Sequence, residues 1–313
     1  MVGRDVVAGE GAVSKPFVLA HLSDPHLGPL PQPGMRELAS KRLIGYINWR
    51  RSRHRIHRRD ALDAITRDLH GEQPDHVAIT GDLVNIALPA EFALARRWLE
   101  TLGRPADVSV VPGNHDAYVA AAGFHRDRHW SPYMSGDDAL SDQTPFPYLR
   151  RRGPVALICL STAIATPPFM ATGRLGKPQI ARMVEMLDAL RSVFRVVMIH
   201  HPPIGAPSAY HKRLIDAAGF RQAIAAVGAE LIIHGHNHVQ ALAWLPGNDG
   251  RVPVLGVPSA SVRADAKHAG AYNLYRIDGG PGGWHCEVVT RGLRPSGAVA
   301  ELSRRVLSWS GNQ

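Results

Sequence analysis

Short apolar runs rich in β-branched residues alternate along this chain with longer segments in which apolar residues recur at helical spacing. The short runs predict buried strands at residues 17–22, 77–80, 108–111, 155–160, 196–199 and 231–233. The longer segments predict helices at residues 61–69, 91–102, 179–190 and 213–226. Regular alternation of strands and helices is typical of an α/β domain.

The remaining segments are arranged around this alternating part. Runs at 252–257, 272–277 and 284–289 predict further strands, which we expect to close the fold as a second sheet. Because no internal repeat or linker is visible, we predict one domain over residues 16–295. Its other parts are a flexible N-terminus at 1–15, a basic helical insertion at about 36–59, a cap-like loop at about 123–147 and a C-terminal tail at 296–313.

The composition is that of a soluble globular protein, with 45% apolar and 20% charged residues. No window approaches 18 consecutive apolar residues, so a transmembrane span is not indicated. The N-terminus lacks the basic start and continuous apolar core of a signal peptide, and we expect a cytoplasmic protein. The two cysteines, Cys159 and Cys286, are interpreted as buried free thiols.

Almost all of the net charge of +9 lies in one segment, residues 41–59, which holds eight Lys or Arg residues and no Asp or Glu. Such a segment is a candidate contact for phosphates. Its apolar residues Leu43, Ile44 and Ile47 share one helical face. Three interpretations stay open: a solvated helix packed by its apolar edge, a lid that guides an anionic substrate, and an interfacial helix.

Our hypothesis is the interfacial helix, which would place residues 41–59 in peripheral contact with the inner membrane surface or with an anionic lipid substrate. A nucleic-acid partner is not expected, because no basic groove interleaved with aromatic residues is visible.

Polar residues follow five of the predicted strands. The segments are Ser23-Asp24-Pro25-His26, Gly81-Asp82, Gly113-Asn114-His115-Asp116, His200-His201 and His234-Gly235-His236-Asn237-His238. In open α/β sheets, ligands bind at the carboxyl ends of the strands. If these strands share a sheet, the five loops converge on one site.

The residue types in these loops predict a metal site. The candidate ligands are Asp24, His26, Asp82, Asn114, His200, His236 and His238. Nitrogen and oxygen ligands suit zinc, iron, manganese or cobalt. The set is too large for one tetrahedral ion but suits two ions that share a carboxylate, and two ions ~3.5–4 Å apart can clamp both reacting oxygens of a phosphoryl displacement. We expect His234 to be structural, leave His201 open, and count the other histidines, including His57, as non-ligands.

This ordered set of motifs, over residues 17–240, resembles the calcineurin-like metallophosphoesterase superfamily. Within it, the pattern looks most like the class III cyclic-nucleotide and glycerophosphodiester phosphodiesterases. The resemblance implies a four-layer αββα sandwich, in which two mixed β-sheets are flanked by helices. It also implies two divalent or trivalent metal ions, of manganese, iron or zinc.

The resemblance further implies a role for each matching residue. Asp24, His26, Asp82 and His238 would hold one ion, and Asp82, Asn114, His200 and His236 the other, so that Asp82 bridges. His115 would not be a ligand but a catalytic residue that stabilises charge on the phosphate or protonates the leaving group. The nucleophile would be a hydroxide bridging the metals.

Two departures from relatives narrow the function. Protein Ser/Thr phosphatases of this superfamily continue Gly-Asp with x-Val-Asp-Arg-Gly, whereas here residues 83–87 read Leu-Val-Asn-Ile-Ala and lack that phosphate-binding arginine. One branch of bacterial lipid-A pathway pyrophosphatases carries arginine where this chain has His115, which weakens a lipid-nucleotide substrate.

We therefore predict a dinuclear-metal phosphohydrolase that cleaves a small phosphodiester. The alternative is a membrane-surface pyrophosphohydrolase or phosphoesterase that acts on a lipid-linked nucleotide or a phospholipid. A metal-free scaffold ranks last, because no predicted ligand is missing.

Overall fold

The computed structural model describes residues 15–137, 146–205 and 207–309. In these residues two mixed sheets of six strands each pack face to face. The first sheet has the strand order β12-β11-β10-β1-β2-β3, and the second has the order β4-β5-β6-β7-β9-β8. The predicted fold class, two mixed sheets flanked by helices, is confirmed.

The strands fall on both sides of a shared apolar core. They are β1 Phe17–Leu22, β2 His76–Ile79, β3 Val108–Val110, β4 Tyr148–Arg152, β5 Val155–Cys159, β6 Phe194–Met198, β7 Leu231–His234, β8 Ala241–Gly247, β9 Gly250–Gly256, β10 Ala271–Asp278, β11 His285–Leu293 and β12 Val299–Val306. Alternate residues of a strand point to opposite faces. In β5, Leu157 and Cys159 accordingly enter the core between the sheets, while Ala156 and Ile158 enter an outer core with helices.

Helices form the outer layers. They are α1 Met35–Leu38, α2 Arg42–Asn48, α3 His54–Ile56, α4 Arg59–Glu72, α5 Pro89–Leu102, α6 Ala122–Trp130, α7 Lys177–Ala189 and α8 Ala217–Val227. The buried residues of α4 recur at helical spacing, as Ala61, Leu62, Ile65 and Leu69. Helix α4 is fixed to the first sheet by Asp68, whose carboxylate pairs with Arg291 at 2.7 Å. Helices α7 and α8 cover the second sheet.

The strand and helix predictions agree with these elements to within a few residues at each end. One expectation about the C-terminal strands is wrong: they do not form a second sheet of their own. Strands β10 and β11 extend the first sheet beside β1, and β9 extends the second beside β7. The apolar pattern predicts where strands lie but not which strands pair with one another, and the assignment of these strands to a separate sheet therefore failed.

The structure also differs from the assignment of residues 296–313 to a C-terminal tail. Residues 299–306 form β12, which pairs antiparallel with β11 at the edge of the first sheet. Most of its side chains are exposed, and several are charged, as is usual for an edge strand. This polar sequence does not resemble a buried strand. Residues 310–313 lie outside the described part of the chain.

The insertion predicted at about 36–59 consists of α1, α2, a π-helical turn at Trp49–Arg53, and α3. The segment predicted as a cap-like loop at 123–147 contains most of α6 and a 3₁₀ turn at Ser131–Tyr133, while its residues 138–145 lie outside the described part. The flexible N-terminus predicted at 1–15 falls outside it except for Lys15.

Two further findings bear on the sequence predictions. Cys159 and Cys286 are both buried and free. No helix in the described ranges has the length and apolar character that crossing a bilayer requires.

Candidate metal centre

The loops that follow β1, β2, β3, β6 and β7 meet at one place, although their strands belong to two sheets rather than to one. Within the first sheet, the amide nitrogen of Asp24 donates to the carbonyl oxygen of Gly81 at 2.9 Å. Across the two sheets, the amide nitrogen of His236 donates to Oδ2 of Asp24 at 3.0 Å. The site therefore lies where the edges of the two sheets come together.

Glycine permits this close approach. A Cβ atom on Gly113 would overlap the Asp82 carboxylate and lie 2.7 Å from Cε1 of His200. A Cβ atom on Gly235 would overlap the Asp24 carboxylate and the Ser23 hydroxyl group. No larger residue fits at either position without displacing a predicted ligand.

Five of the predicted ligands have a left-handed backbone. Their φ angles are 51° for Asp24, 38° for His26, 54° for Asp82, 68° for His236 and 55° for His238. This conformation is uncommon for residues other than glycine and costs ~1–3 kcal/mol each. Such strain persists only where the surrounding structure enforces it, and it clusters at functional sites.

The first group of predicted ligands converges around Asp24. Nε2 of His26 and Nε2 of His238 are 3.3 Å apart, and Nε2 of His238 is 3.0 Å from Oδ1 of Asp24. Oδ2 of Asp82 is 3.9 Å from Nε2 of His26. Ligand atoms that each lie ~2.1 Å from one ion are separated by about 3.0–3.5 Å. Most of this group has the spacing of a single coordination sphere.

The second group converges on His200. Nε2 of His200 is 3.2 Å from Oδ1 of Asn114, 3.2 Å from Nδ1 of His236 and 3.5 Å from Oδ2 of Asp82. Asp82 thus lies within reach of both groups, as expected for a bridging carboxylate. The structure brings all seven predicted ligands together at this place.

Hydrogen bonds to backbone carbonyl groups orient the imidazole rings. Nδ1 of His200 donates to the carbonyl oxygen of Thr80 at 2.6 Å, and Nδ1 of His26 faces that of Val84 at 3.3 Å. His236 is turned the other way, because its Nε2 donates to the carbonyl oxygen of Lys212 at 3.0 Å. In each ring the second nitrogen faces the other predicted ligands, an arrangement common around metal-binding histidines, although Nε2 of His26 also receives a hydrogen bond from Arg53. The residues present therefore fit a pair of metal ions.

The neighbouring histidines have other partners. Nδ1 of His201 is 2.7 Å from Oγ1 of Thr162, and its Nε2 is 3.1 Å from the carbonyl oxygen of Ala171. With both nitrogens engaged, His201 supports the site rather than binding an ion. His234 is buried, and its Nδ1 donates to the carbonyl oxygen of Gly235, in keeping with the structural role expected for it.

The buried carboxylates are held in the ionised form. Burial would raise the pKa of Asp24, but the charge and hydrogen bond of His238 outweigh it and hold this pKa below its usual range. Asp82 is affected in the same way, with His200 as its partner. Burial lowers the pKa of His200, but the charge of Asp82 outweighs burial and raises that pKa to about 9. At neutral pH both carboxylates are thus ionised and supply anionic oxygen atoms that a metal ion can bind.

Residues 17–240 match the model of the calcineurin-like phosphoesterase family. The chain belongs to this family. It is therefore a metal-dependent phosphoric ester hydrolase.

Two curated relatives resemble this phosphoesterase along most of its length. The glycerophosphodiester phosphodiesterase GpdQ of Enterobacter lignolyticus is 25% identical over 76% of this chain and 79% of its own. A protein of a Synechococcus species named "Probable cyclic nucleotide phosphodiesterase" is 28% identical over 64% of this chain and 71% of its own.

Two solved structures share the fold. A dimetal phosphatase from Danio rerio superimposes with a TM-score of 0.59 at 12% identity, over 95% of this chain and 100% of that one. A purple acid phosphatase from yellow lupin, Lupinus luteus, gives a TM-score of 0.59 at 10% identity, over 94% of this chain and 54% of that one.

Asp116 organises the phosphoesterase site without belonging to the predicted ligand set. Its carboxylate accepts hydrogen bonds from the amide nitrogens of Asp82 and Gly113 at 2.8 Å each, and of Leu83 at 2.9 Å. It thereby joins the loops after β2 and β3. The sequence signal was present, since Asp116 ends the Gly-Asn-His-Asp motif.

His115 lies beside the ligands, as expected from the motif. Its backbone nitrogen donates to Oδ1 of Asp82 at 2.7 Å, and its Nδ1 donates to the carbonyl oxygen of Asn85 at 2.5 Å. Burial and the charge of Arg53 lower the pKa of His115 to about 4. At neutral pH, its Nε2 therefore accepts a hydrogen bond rather than donating one.

Two residues of the basic insertion reach the site, and neither was predicted to lie there from the sequence. Nη1 of Arg53 donates to Nε2 of His115 at 2.9 Å, and Nη2 donates to Nε2 of His26 at 3.1 Å. The ring of His57 lies 4.5 Å from that of His26 and 5.6 Å from that of His238. From the sequence, we counted His57 as a non-ligand. In the structure it offers a nitrogen atom to a cluster with His26 and His238 that could hold an ion. The only sequence signal was the basic segment that follows the first motif.

Proposed function

We propose that this phosphoesterase hydrolyses phosphodiesters at a two-metal site. The observation that carries the proposal is the arrangement of the seven ligand side chains, in two groups that share Asp82. Their nitrogen and oxygen donors suit manganese, iron or zinc. Such ions, when bound, stabilise charge on the phosphoryl group and lower the pKa of water to about 7.

The protein residues then position the reacting groups. The two groups of ligands would hold the ions at fixed positions relative to both sheets, and Asp116 joins the loops that carry Asp82 and Asn114. His115 presents Nε2 to the substrate. Burial is the larger cause of the low pKa of His115 and the charge of Arg53 the smaller one; a phosphate anion beside the ring favours its protonated form, so the imidazole can take up a proton from solvent and pass it to the leaving alkoxide.

Two observations favour a diester over a monoester. Both curated relatives are named as phosphodiesterases. In addition, Ile86 stands where the protein phosphatases of the family carry the arginine that binds a phosphate monoester.

The experiment compares hydrolysis of bis(p-nitrophenyl) phosphate and p-nitrophenyl phosphate by protein that has been stripped of metal and reloaded with manganese. Glycerophosphocholine and cyclic AMP then test natural diesters. We expect two equivalents of metal and a higher kcat/KM for the diester. A protein that holds two equivalents of manganese and cleaves none of these esters would refute the proposal, and a clear preference for the monoester would refute the diester assignment.

A second candidate function is supported by the surface of the insertion. Met35 is 87% exposed and Leu43 46% exposed, and Phe169, on a neighbouring loop, is 81% exposed. Nζ of Lys41 donates to the carbonyl oxygen of Thr166 at 3.0 Å, which holds the loop against the insertion. Exposed apolar side chains within a segment of eight positive charges are the features of a helix that lies on an anionic membrane.

Because the same insertion carries Arg53, such a surface would place the site near a lipid-linked phosphate at the inner membrane. Sedimentation with phosphatidylglycerol vesicles and with phosphatidylcholine vesicles tests this candidate. We expect binding to the anionic vesicles that decreases with salt and with the double substitution L43S/I47S. If neither the wild-type protein nor L43S/I47S sediments with either kind of vesicle at low salt, the membrane-surface candidate is excluded.

A further inference from the structure

The guanidinium group of Arg53 lies inside the active site, between a predicted metal ligand and the predicted catalytic histidine. It is partly buried at the end of the π-helical turn Trp49–Arg53. One of its nitrogen atoms is 2.9 Å from Nε2 of His115 and another is 3.1 Å from Nε2 of His26. An arginine that served only the surface charge of the insertion would point to solvent.

Among the residues that the structure describes, Arg53 forms no ion pair, and the charges of Asp82 and Asp24 act on it from beyond contact distance. Among the described residues, the ion pairs of Asp24 and Asp82 are all made with histidines. The guanidinium hydrogen bonds go to imidazole nitrogens, which carry no negative charge at neutral pH. A desolvated cation without an anion is unfavourable, and burial lowers the pKa of Arg53 accordingly.

The nitrogen that Arg53 contacts on His26 is the same atom that points to His238 and Asp24. A guanidinium group only donates hydrogen bonds, and it repels a metal cation. An ion bound by His26 therefore requires the guanidinium group to withdraw from Nε2, and an anion bound between the two cations would stabilise the resulting arrangement. The planar fork of arginine fits the oxygen atoms of a phosphate, which it binds with two parallel hydrogen bonds.

The insertion is fixed at both ends, so the backbone that carries Arg53 lies beside the site before a substrate arrives, and only the side chain has to move. On one side, Nε of Arg42 donates to the carbonyl oxygen of Ile86 at 3.1 Å. On the other, the amide nitrogen of Arg58 donates to the carbonyl oxygen of Ser261 at 2.7 Å. Between them, a Cβ atom on Gly45 would lie 2.6 Å from the hydroxyl group of Tyr118, so α2 packs closely on the loop after β3.

We propose that Arg53 binds the phosphoryl oxygen atoms of the substrate, opposite the metal ligands, and so couples anion binding to metal binding. This inference rests on the proposed function. It supplies a phosphate-binding arginine from the insertion, at a site whose Gly-Asp loop has none. The ligand it defines is a phosphate ester anion that contacts the metal site and the insertion at once.

Titration calorimetry of the full chain with manganese, in the presence and absence of inorganic phosphate, tests the coupling. In the wild-type protein, phosphate is expected to tighten manganese binding about tenfold or more. In R53Q, the effect of phosphate is expected to shrink to within about twofold, while manganese alone binds as tightly as before or more tightly. The matched control is R67Q, which removes one exposed positive charge from α4.

Steady-state kinetics provide a second readout, in which R53Q raises KM for the diester and R53K restores part of the loss. Unchanged coupling in R53Q, with manganese binding intact, overturns the role of Arg53 and leaves the proposed function standing. Loss of manganese binding in a folded R53Q, judged by its thermal unfolding, also overturns it, since Arg53 would then support the metal site. A wild-type protein that binds no manganese overturns the proposed function and this inference together.

Discussion

The active site has two sides that were built in different ways. On one side, residues at the ends of five strands meet across two sheets, with left-handed backbone angles and glycines that admit no side chain. On the other side, Arg53 and His57 come from a helical insertion that is joined to the fold by a few hydrogen bonds. The strand-end side is determined by the two sheets, whereas the insertion side depends on how helices outside the sheets pack against their edge.

This difference suggests a division of labour. The strand-end side holds the predicted metal ligands, which would activate a phosphoryl centre. The insertion side contacts the same centre from outside the sheets, where it can select the substrate. Substitutions on the two sides should therefore have different effects on metal content and on activity.

The largest effect is expected for D82N on the strand-end side. Asp82 belongs to both ligand groups, so its replacement should remove at least one equivalent of metal and lower kcat by about 10³-fold or more. Metal analysis of the purified variant and the diester assay measure both changes. D188N, which alters an exposed carboxylate on α7, is the control. A D82N protein with two equivalents of metal and normal kcat would contradict the assignment of metal binding to the strand-end side.

A slightly smaller effect is expected for G113A. Its Cβ atom would lie 2.6 Å from the amide nitrogen of Asp82, so the loop must shift by several tenths of an ångström, and we expect kcat/KM to fall about 10²-fold. The matched control is G280A, because a Cβ atom on Gly280 meets nothing within 4 Å. If G113A were as active as G280A, the close packing of the strand-end loops would not matter for catalysis.

The pH dependence of metal binding is the third test. Asp82 outweighs burial and raises the pKa of His200 to about 9, so below this pH a proton must leave before an ion can bind. Manganese affinity should therefore fall about tenfold for each pH unit between 8.5 and 6.5. Calorimetry in buffers of different ionisation enthalpy also counts the released protons. An affinity independent of pH would show that His200 does not carry a proton before metal binding.

The smallest effect is expected for H57Q on the insertion side. Nδ1 of His57 is 2.9 Å from the hydroxyl group of Ser261, and its ring faces His26 and His238, but both predicted ligand groups have four members without it. We expect metal content to stay at two equivalents, and kcat/KM to fall about threefold to tenfold. Loss of one equivalent of metal would instead show that His57 is a ligand. Metal binding would then not be confined to the strand-end side.

The strand-end side could be predicted because its information is local. Each motif directly follows an apolar run, and the order of the motifs along the chain matches that of a known family. The convergence of His200 and Asp82 did not follow from the strand ends alone, because the two residues follow strands of different sheets; it was implied by the resemblance to the family. The membership of these strands in two sheets did not follow from the apolar pattern, because that pattern is the same for either pairing.

The insertion side could not be predicted in the same way. The role of Arg53 depends on contacts with His26 and His115, and that of His57 on a contact with Ser261, far along the chain. In the sequence, Arg53 is one of eight similar charges, and nothing local distinguishes it from its exposed neighbours. Arg53 differs from these neighbours because the π-helical turn directs its side chain to His26 and His115, and the direction of that turn depends on residues distant in sequence.

The left-handed backbone of the ligands has a consequence for how such a protein changes over generations. A glycine at Asp82 or His238 would relieve a conformation that costs the folded state ~1 kcal/mol or more, yet it would remove a ligand. Mutations that abolish the chemistry can thus make the fold easier to maintain. In a lineage released from selection for hydrolysis, these positions would be among the first to drift toward glycine, and the family fold would outlast its activity.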